Sequence, residues 1–132
     1  MSMKHYKKVL TIAGSDSGGG AGIQADIKTM SACGCYAMSA ITAITAQNTV
    51  GVSRIHNIPA DMVAAQIAAV LEDIGVDAVK LGMLPTEASV VAIAGLLKKY
   101  EVTNVVLDPV MVSTSGSRLI DEPAAEAIRT PL

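Results

Sequence analysis

The feature that most constrains the fold is a glycine-rich segment between an apolar run and an amphipathic run. The apolar run, residues 9–13, is rich in β-branched side chains and predicts a buried strand that ends at Gly14. Four glycines follow within five positions, 18–22, and the amphipathic run begins at Ile23. A strand, a glycine-rich turn and a helix in this order let backbone approach a ligand closely, because glycine has no Cβ. The start of the helix also offers unpaired N–H groups to an anion.

The same alternation of apolar and amphipathic runs continues along the chain. Further strands are predicted at 36–46, 52–58, 78–82 and 104–107, and helices at 23–32, 59–74, 86–100 and 123–129. Thr86 is predicted to be the N-cap of the helix at 86–100. The strands at 36–46 and 104–107 carry no charge, which predicts burial, whereas Arg54 and His56 predict an edge position for 52–58. Strands that alternate with helices predict an α/β fold with a mostly parallel, doubly wound sheet flanked by helices.

Polar and small residues follow the carboxyl ends of the predicted strands. In a doubly wound sheet the ligand lies beyond these ends, so segments that are distant in sequence line one rim. The segments that meet this condition are 14–16, 47–49, 82–83 and 108–110.

Composition and charge narrow the class of protein. Apolar residues make up 51% of the 132 residues and charged residues only 17%, which indicates half of a larger body or a subunit of an oligomer. No apolar run approaches the roughly 20 residues of a membrane span, and the basic residues 1–8 lack the apolar run that is typical of a signal peptide. A net charge of −2 without a basic patch argues against nucleic acid. Cys33 and Cys35 are too close for an unstrained disulfide, which predicts reduced thiols and a cytoplasmic protein.

Two phosphate-binding motifs can be tested against the glycine-rich segment. The mononucleotide loop fails, because Gly20 stands where its lysine belongs. The dinucleotide fingerprint matches at Gly20, Gly22 and Ala25, but the second strand supplies Gln47 where that fold needs an acid for the ribose. Glycines that only form a tight strand-to-helix turn remain an alternative.

Four blocks of sequence together carry a family resemblance. They are TIAGSDSGGGAGIQADIKT, ITAITAQNTVGV, KLGML and VVLDPVM, and they span essentially the whole chain. In this order they resemble the hydroxymethylpyrimidine and phosphomethylpyrimidine kinases of thiamine biosynthesis, which belong to the ribokinase-like superfamily. The chain resembles pyridoxal kinases of the same superfamily more remotely.

The resemblance implies an enzyme that uses ATP and Mg²⁺ to phosphorylate 4-amino-5-hydroxymethyl-2-methylpyrimidine and then its monophosphate. It also implies a homodimer. By the family pattern, the pyrimidine pocket includes Gly14, Asp26, Gln47, Met83 and Val110. The glycine-rich segment then borders the substrate and is not the main ATP-phosphate loop.

The chemistry of these residues fits such a substrate. The amide of Gln47 offers the acceptor and donor that match an aminopyrimidine edge. Met83 and Val110 supply apolar surface for the ring faces, and Asp26 can accept a hydrogen bond from the hydroxymethyl group. Three alternatives stay open: Asp26 stabilises the first helical turn, Gln47 caps a strand end, and Met83 only packs in the core.

Asp108 follows an apolar strand and precedes a proline. Because Mg²⁺ prefers carboxylates, waters and phosphate oxygens, Asp108 is the candidate for orienting the metal through water, with a turn-forming Asp-Pro pair as the alternative. In the polar loop 113–117, some relatives carry a lysine near the position of Thr114. If that lysine holds phosphate in those relatives, Thr114 does not supply the same charged contact here.

Two elements that the resemblance implies do not occur in the chain. They are an N-x-x-E element for the metal and a G-[ST]-G-C turn that forms the anion hole and carries the group activating the hydroxyl. Residues 1–132 are therefore expected to form the N-terminal part of a single ribokinase-like α/β domain, with the catalytic residues in an absent C-terminal half. Such a chain is expected to have no turnover alone. A non-catalytic pyrimidine-binding fragment is the non-enzyme alternative.

Overall fold

The computed structural model describes residues 3–113 and 115–130, which form a five-stranded sheet with flanking helices. In chain order the elements are β1 (Lys8–Asp16), α1 (Gly22–Ala32), β2 (Tyr36–Gln47), β3 (Val52–Asn57), α2 (Ala60–Asp73), β4 (Ala78–Leu81), α3 (Glu87–Lys99), β5 (Val105–Leu107) and α4 (Glu122–Arg129). The strand order is β3-β2-β1-β4-β5. Only the β2–β3 pair is antiparallel, which confirms the mostly parallel α/β sheet.

The direction of the crossovers places the helices in two layers. From the central β1 the chain moves to β2 through α1, and later moves the other way to β4 through α2. Right-handed connections in opposite directions put α1 on one face of the sheet and α2 on the other. The packing agrees, because α1 contacts β1 and β2, whereas α2 packs on α3 and α3 packs on α4.

The main hydrophobic core lies between the sheet and the layer that contains α2, α3 and α4. The strands contribute Leu10, Ile12 and Leu81, and the helices contribute Ile67 and Ile93, all with no exposed surface. The buried apolar side chains within α2, and those within α3, recur every three or four residues, as expected for the buried stripe of an amphipathic helix. This core stabilises the sheet that carries the rim.

Helix boundaries agree with the local signals. Thr86 precedes α3, and its Oγ1 accepts a hydrogen bond from the backbone N–H of Ser89 at 3.2 Å, which confirms the predicted N-cap. Pro59 precedes α2, and Gly75 follows its end. Within the described residues, no helix has both the length and the apolar character that a membrane span needs.

Two strands are more exposed than their apolar sequences predict. The prediction of a buried 104–107 strand is wrong, since β5 is exposed throughout and Val106 keeps 64% of its surface accessible. β5 lies at an edge of the sheet, with β4 as its neighbour in the described part of the chain. β2 is also not buried on both faces, because Ile44 is 49% exposed. A run of apolar residues indicates a strand but does not show what covers it.

β1 continues past the glycine that was expected to end it. The pairing with β2 shifts register between Ala13 and Ser15, so Gly14 lies at an irregularity and the strand extends to Asp16. The predicted end of the strand at Gly14 is therefore wrong. The extension has a consequence for the rim, because it carries Ser15 and Asp16 to the place where α1 begins.

Candidate functional site

A cavity of about 280 Å³ opens beyond the carboxyl ends of the central strands. It lies beside β1, where the direction of the chain across the sheet reverses, as expected for a ligand site in this class of fold. All the residues predicted to contact substrate or metal line it: Gly14, Asp26, Gln47, Met83, Asp108 and Val110. The sequence therefore located the cavity, while the binding roles of these residues remain predictions.

The glycine-rich loop is organised by the carboxylate of Asp16, which is 6% exposed. Its oxygens accept hydrogen bonds from the backbone N–H groups of Gly18 at 2.7 Å, Gly20 at 3.0 Å and Ala21 at 2.9 Å. An acidic side chain of the protein itself therefore occupies three of the backbone donors in the glycine-rich loop before α1. This arrangement fits a loop that borders a ligand better than one that cradles phosphate.

Close packing explains two of the glycines. Gly22 has φ +59°, and a Cβ there would lie 2.2 Å from the carbonyl oxygen of Gly14. A Cβ on Gly14 would in turn lie 2.8 Å from Sδ of Met83. Glycine at these two positions lets α1 start directly against β1 and lets Met83 reach the same wall of the cavity.

Gln24 holds the end of β1 to α1. Its Oε1 accepts a hydrogen bond from the backbone N–H of Asp16 at 2.8 Å, and its Nε2 donates to Oγ of Ser15 at 2.7 Å. Sequence reasoning placed Asp16 on the rim but missed its contacts with the loop, and it missed the contacts of Gln24. The available signal for Asp16 was an acid two residues before a run of glycines, a pattern typical of side chains that accept from nearby backbone N–H groups.

Gln47 reaches the cavity from the end of β2. Its backbone is held by Ser17, whose Oγ accepts from the Gln47 N–H at 2.8 Å and donates to the Gln47 carbonyl at 2.5 Å. Oγ1 of Thr45 lies 3.2 Å from the side-chain Oε1. Since Ser17 secures the strand end, the Gln47 side chain is not needed as a cap, and its Nε2 has no partner in the described part of the chain.

Asp26 lies beyond the first turn of α1. That turn holds no acidic residue, so the alternative that Asp26 stabilises it is wrong. Instead, Oδ2 of Asp26 accepts a hydrogen bond from Oγ1 of Thr11 at 2.6 Å and from Nζ of Lys80 at 2.8 Å. Sequence reasoning missed Lys80, and the available signal was a lone lysine within a short apolar strand.

Met83 and Val110 form an apolar part of the cavity wall. Met83 is 6% exposed and belongs to the hydrophobic core as well as to the lining, so core packing and ring contact are compatible. Val110 is partly buried against the same core.

Asp108 is exposed and lines the cavity directly after β5. Its backbone carbonyl accepts from the N–H of Val110 at 2.9 Å, so the Asp-Pro pair also forms a turn. Among the described residues no group of three or more potential metal ligands occurs. A single carboxylate fits Mg²⁺, which is held in proteins by one or two carboxylates with waters and substrate phosphates. Thr114 lies outside the described residues.

Comparison with known proteins places the chain in a family. Residues 16–132 match the family described as phosphomethylpyrimidine kinase. The chain belongs to this family. It is 55% identical over 124 residues to the thiamine biosynthesis bifunctional protein ThiED of Geobacter sulfurreducens, which covers 94% of this chain and 25% of that protein. It is 50% identical over 123 residues to the hydroxymethylpyrimidine/phosphomethylpyrimidine kinase of Escherichia coli, covering 93% and 46%.

Two solved kinase structures show the same fold as this chain of the phosphomethylpyrimidine kinase family. The crystal structure of phosphomethylpyrimidine kinase from Clostridium difficile matches with a TM-score of 0.86 and 52% identity, over 92% of this chain and 53% of that one. An ADP complex of Bacillus subtilis pyridoxal kinase matches with a TM-score of 0.82 and 42% identity, over 95% and 48%. The fold is therefore ribokinase-like, as predicted, and the chain spans about half the length of these kinases.

Proposed function

We propose that this chain supplies the aminopyrimidine-binding part of a kinase that phosphorylates 4-amino-5-hydroxymethyl-2-methylpyrimidine and then its monophosphate. The observation that carries this function is the meeting of Gln47, Asp26 and Met83 in one cavity at the rim of the sheet. These side chains offer an amide, a carboxylate and an apolar surface, which match the amino edge, the hydroxyl and the ring of this substrate. Family membership supports the same assignment.

The size of the cavity suits one aromatic ring. Its volume of about 280 Å³ lies just below the ~300–1,000 Å³ that is usual for small-molecule sites, which suits a single small ring. Met83 and Val110 would contact the ring, and Gln47 would accept from the amino group while donating to the ring nitrogen. A ring without this edge would leave the half-buried amide of Gln47 unpaired beneath the ligand, which is the basis of discrimination.

ATP and Mg²⁺ are the expected co-reactant and metal. Asp108 would orient the metal through water, because its carboxylate has no hydrogen-bond partner among residues 3–113 and 115–130 and lines the cavity. The loop N–H groups already bind Asp16, so we infer that the ATP-phosphate donors and the group activating the hydroxyl come from the part of the relatives' length that this chain does not span. Residues 1–132 are then the N-terminal part of one domain, without turnover of their own.

Calorimetric titration of the chain with the hydroxymethylpyrimidine tests the assignment. We expect binding by the wild type, and for Gln47→Met a loss of about 1–3 kcal/mol, roughly 5- to 150-fold in affinity, because the amide contact is removed. An analogue lacking the 4-amino group should show a smaller loss in Gln47→Met, because it keeps only the contact of its ring nitrogen with the amide. Asn104→Leu is the matched control, since it removes an exposed amide at the opposite end of the sheet.

Absence of binding by the wild type would overturn the proposed function. An equal loss of both ligands in Gln47→Met would overturn the pairing of the amide with the amino edge. Phosphorylation of the pyrimidine by the purified chain with ATP and Mg²⁺ would contradict the expected lack of turnover.

A pyridoxal-type kinase is the alternative function. The likeness to the Bacillus subtilis pyridoxal kinase favours it, with lower identity than the likeness to the Clostridium difficile enzyme. Tighter binding of pyridoxal than of the hydroxymethylpyrimidine would decide for it. The homodimer and the cytoplasmic location stay predictions.

A further inference from the structure

Three side chains from three different elements meet on the α1 side of the sheet. Thr11 of β1 and Lys80 of β4 are paired in register on neighbouring parallel strands. Asp26 of α1 lies over them, and its Oδ2 accepts from both, at 2.6 Å from Thr11 Oγ1 and 2.8 Å from Lys80 Nζ. The ion pair is largely shielded, with side-chain exposures of 21% for Lys80 and 16% for Asp26.

Both donors bind the same carboxylate oxygen. An ionised carboxylate can accept several hydrogen bonds through its two oxygens. In the part of the chain that the structure describes, Oδ1 of Asp26 takes no hydrogen bond, and Asp26 and Lys80 both line the cavity. The two donors therefore fix the orientation of the carboxylate and leave Oδ1 for a ligand.

The position of the Lys80 ammonium depends on Gly82, two residues later in the chain. Lys80 and Gly82 project to the same side of the chain, because side chains alternate along an extended segment. A Cβ on Gly82 would lie 2.9 Å from Nζ of Lys80 and 2.8 Å from Cβ of Ala13. The absence of a side chain at this position gives the ammonium the room to reach Asp26.

We propose that Lys80 is a positioning residue, which holds Asp26 so that its Oδ1 accepts the hydrogen bond of the substrate hydroxymethyl group. This role depends on the proposed function of the same cavity. The lysine is better suited to it than Thr11, because its ammonium adds the attraction of an opposite charge to the hydrogen bond, whereas the Thr11 hydroxyl is a neutral donor. Lys80 acts through Asp26 and needs no contact with the ligand.

Two ligands and two substitutions test this role. The ligands are the hydroxymethylpyrimidine and 4-amino-2,5-dimethylpyrimidine, which lacks only the hydroxyl. Lys80→Met should weaken binding of the hydroxymethylpyrimidine about tenfold, because Asp26 is no longer held in position to accept the hydrogen bond of the ligand hydroxyl. Binding of the dimethyl ligand should stay nearly unchanged. In an Asp26→Asn background, Lys80→Met should have no further effect on either ligand.

Controls separate positioning from folding. Lys7→Met removes an exposed lysine just before β1, at the opposite end of the sheet, and should change neither affinity. Circular dichroism should show that each variant is folded. Should Lys80→Met fail to fold, Lys80→Gln keeps the stem and a neutral donor, and it should give a smaller loss with the same selectivity for the hydroxyl ligand.

Four outcomes would count against this role. Equal weakening of both ligands, or a further loss from Lys80→Met in the Asp26→Asn protein, would show that Lys80 contacts the ligand or only supports the fold. Unchanged affinity for the hydroxyl ligand in folded Lys80→Met would overturn the role while leaving the proposed function intact. Failure of the wild type to bind either ligand would overturn both.

Discussion

The two faces of the sheet have different chemistry. The face covered by α2, α3 and α4 is a continuous apolar core in which Leu10, Ile12 and Ile67 are fully buried. The face covered by α1 carries polar contacts, with Thr11 and Lys80 bound to Asp26. Both faces belong to the same strands, because alternate side chains of β1 and β4 point in opposite directions.

This difference separates stability from recognition. Apolar burial is not directional, so the α2 side can stabilise the fold without defining a ligand. Hydrogen bonds depend on distance and angle, so the α1 side can hold a carboxylate in one orientation at the rim. Substitutions on the α2 side should therefore change the free energy of unfolding, and those on the α1 side should also change ligand affinity.

The largest expected effect is on the apolar face. Ile67→Ala should lower the free energy of unfolding by about 2–5 kcal/mol, because it removes buried methyl groups and leaves a cavity. Urea denaturation followed by circular dichroism measures this change. Met62→Ala, on the exposed side of the same helix, should stay within about 0.5 kcal/mol of the wild type. A weaker pyrimidine affinity in the folded Ile67→Ala protein would contradict the conclusion that the α2 side affects stability but not recognition.

A smaller loss of stability, together with a loss of affinity, is expected where α1 starts. Gly22→Ala should cost about 1–3 kcal/mol, because φ of +59° is strained for alanine, and the added Cβ meets the Gly14 carbonyl. It should also weaken pyrimidine binding, since Gly22 lines the cavity.

Gly95→Ala is the matched control for that substitution. Gly95 lies in the interior of α3 with nothing within 4 Å of an added Cβ, so alanine there should stabilise the protein by about 0.5–1 kcal/mol. Thermal unfolding of the two variants should therefore shift in opposite directions. A stable Gly22→Ala protein with unchanged affinity would show that the close approach of α1 to β1 is not required.

The smallest expected effect concerns a polar contact on the apolar side. The hydrogen bond from the Tyr100 hydroxyl to Glu72, at 2.5 Å, raises the pKa of Tyr100 above its ordinary value of 10.0. The folded pKa exceeds the unfolded one, so the stabilising contribution is present below pH 10.0 and is lost as the pH rises through the folded pKa. Glu72→Gln should lower the pKa of Tyr100 toward its ordinary value.

Ultraviolet titration, with Tyr100→Phe spectra subtracted, isolates this tyrosine. Asp73→Asn, the next residue on α2, should leave the titration of Tyr100 unchanged. If Glu72→Gln gave the wild-type curve, the contact between α2 and α3 would be absent in solution.

Local signals predicted most of the elements and the rim. Thr86 was recognised as an N-cap because capping involves neighbours three residues away, and α2 and α3 were recognised from a helical period. Gln47 and Met83 could be placed at one rim because parallel strands bring their carboxyl ends together. These features follow from short-range pattern and from a general rule of topology.

Long-range pairing explains what sequence reasoning missed. Lys80 and Asp26 are separated by 54 positions, and no local pattern indicates that the Lys80 side chain on β4 reaches α1. The helical period of residues 23–32 does not show that the amide of Gln24 reaches Ser15. The exposure of β5 escaped prediction because apolar residues record strand propensity, whereas exposure depends on what packs over the strand.

The sequence alone determined the alternation of strands and helices, the resemblance to a kinase family and the residues that face one rim. Only the tertiary structure decided that the Asp16 carboxylate binds backbone N–H groups of the glycine-rich loop, and that Lys80 and Thr11 both donate to one oxygen of Asp26. The physical reason is that a hydrogen-bond partner is selected by distances of about 3 Å between atoms of separately folded elements. Residue order sets which elements form, and their packing sets which atoms come that close.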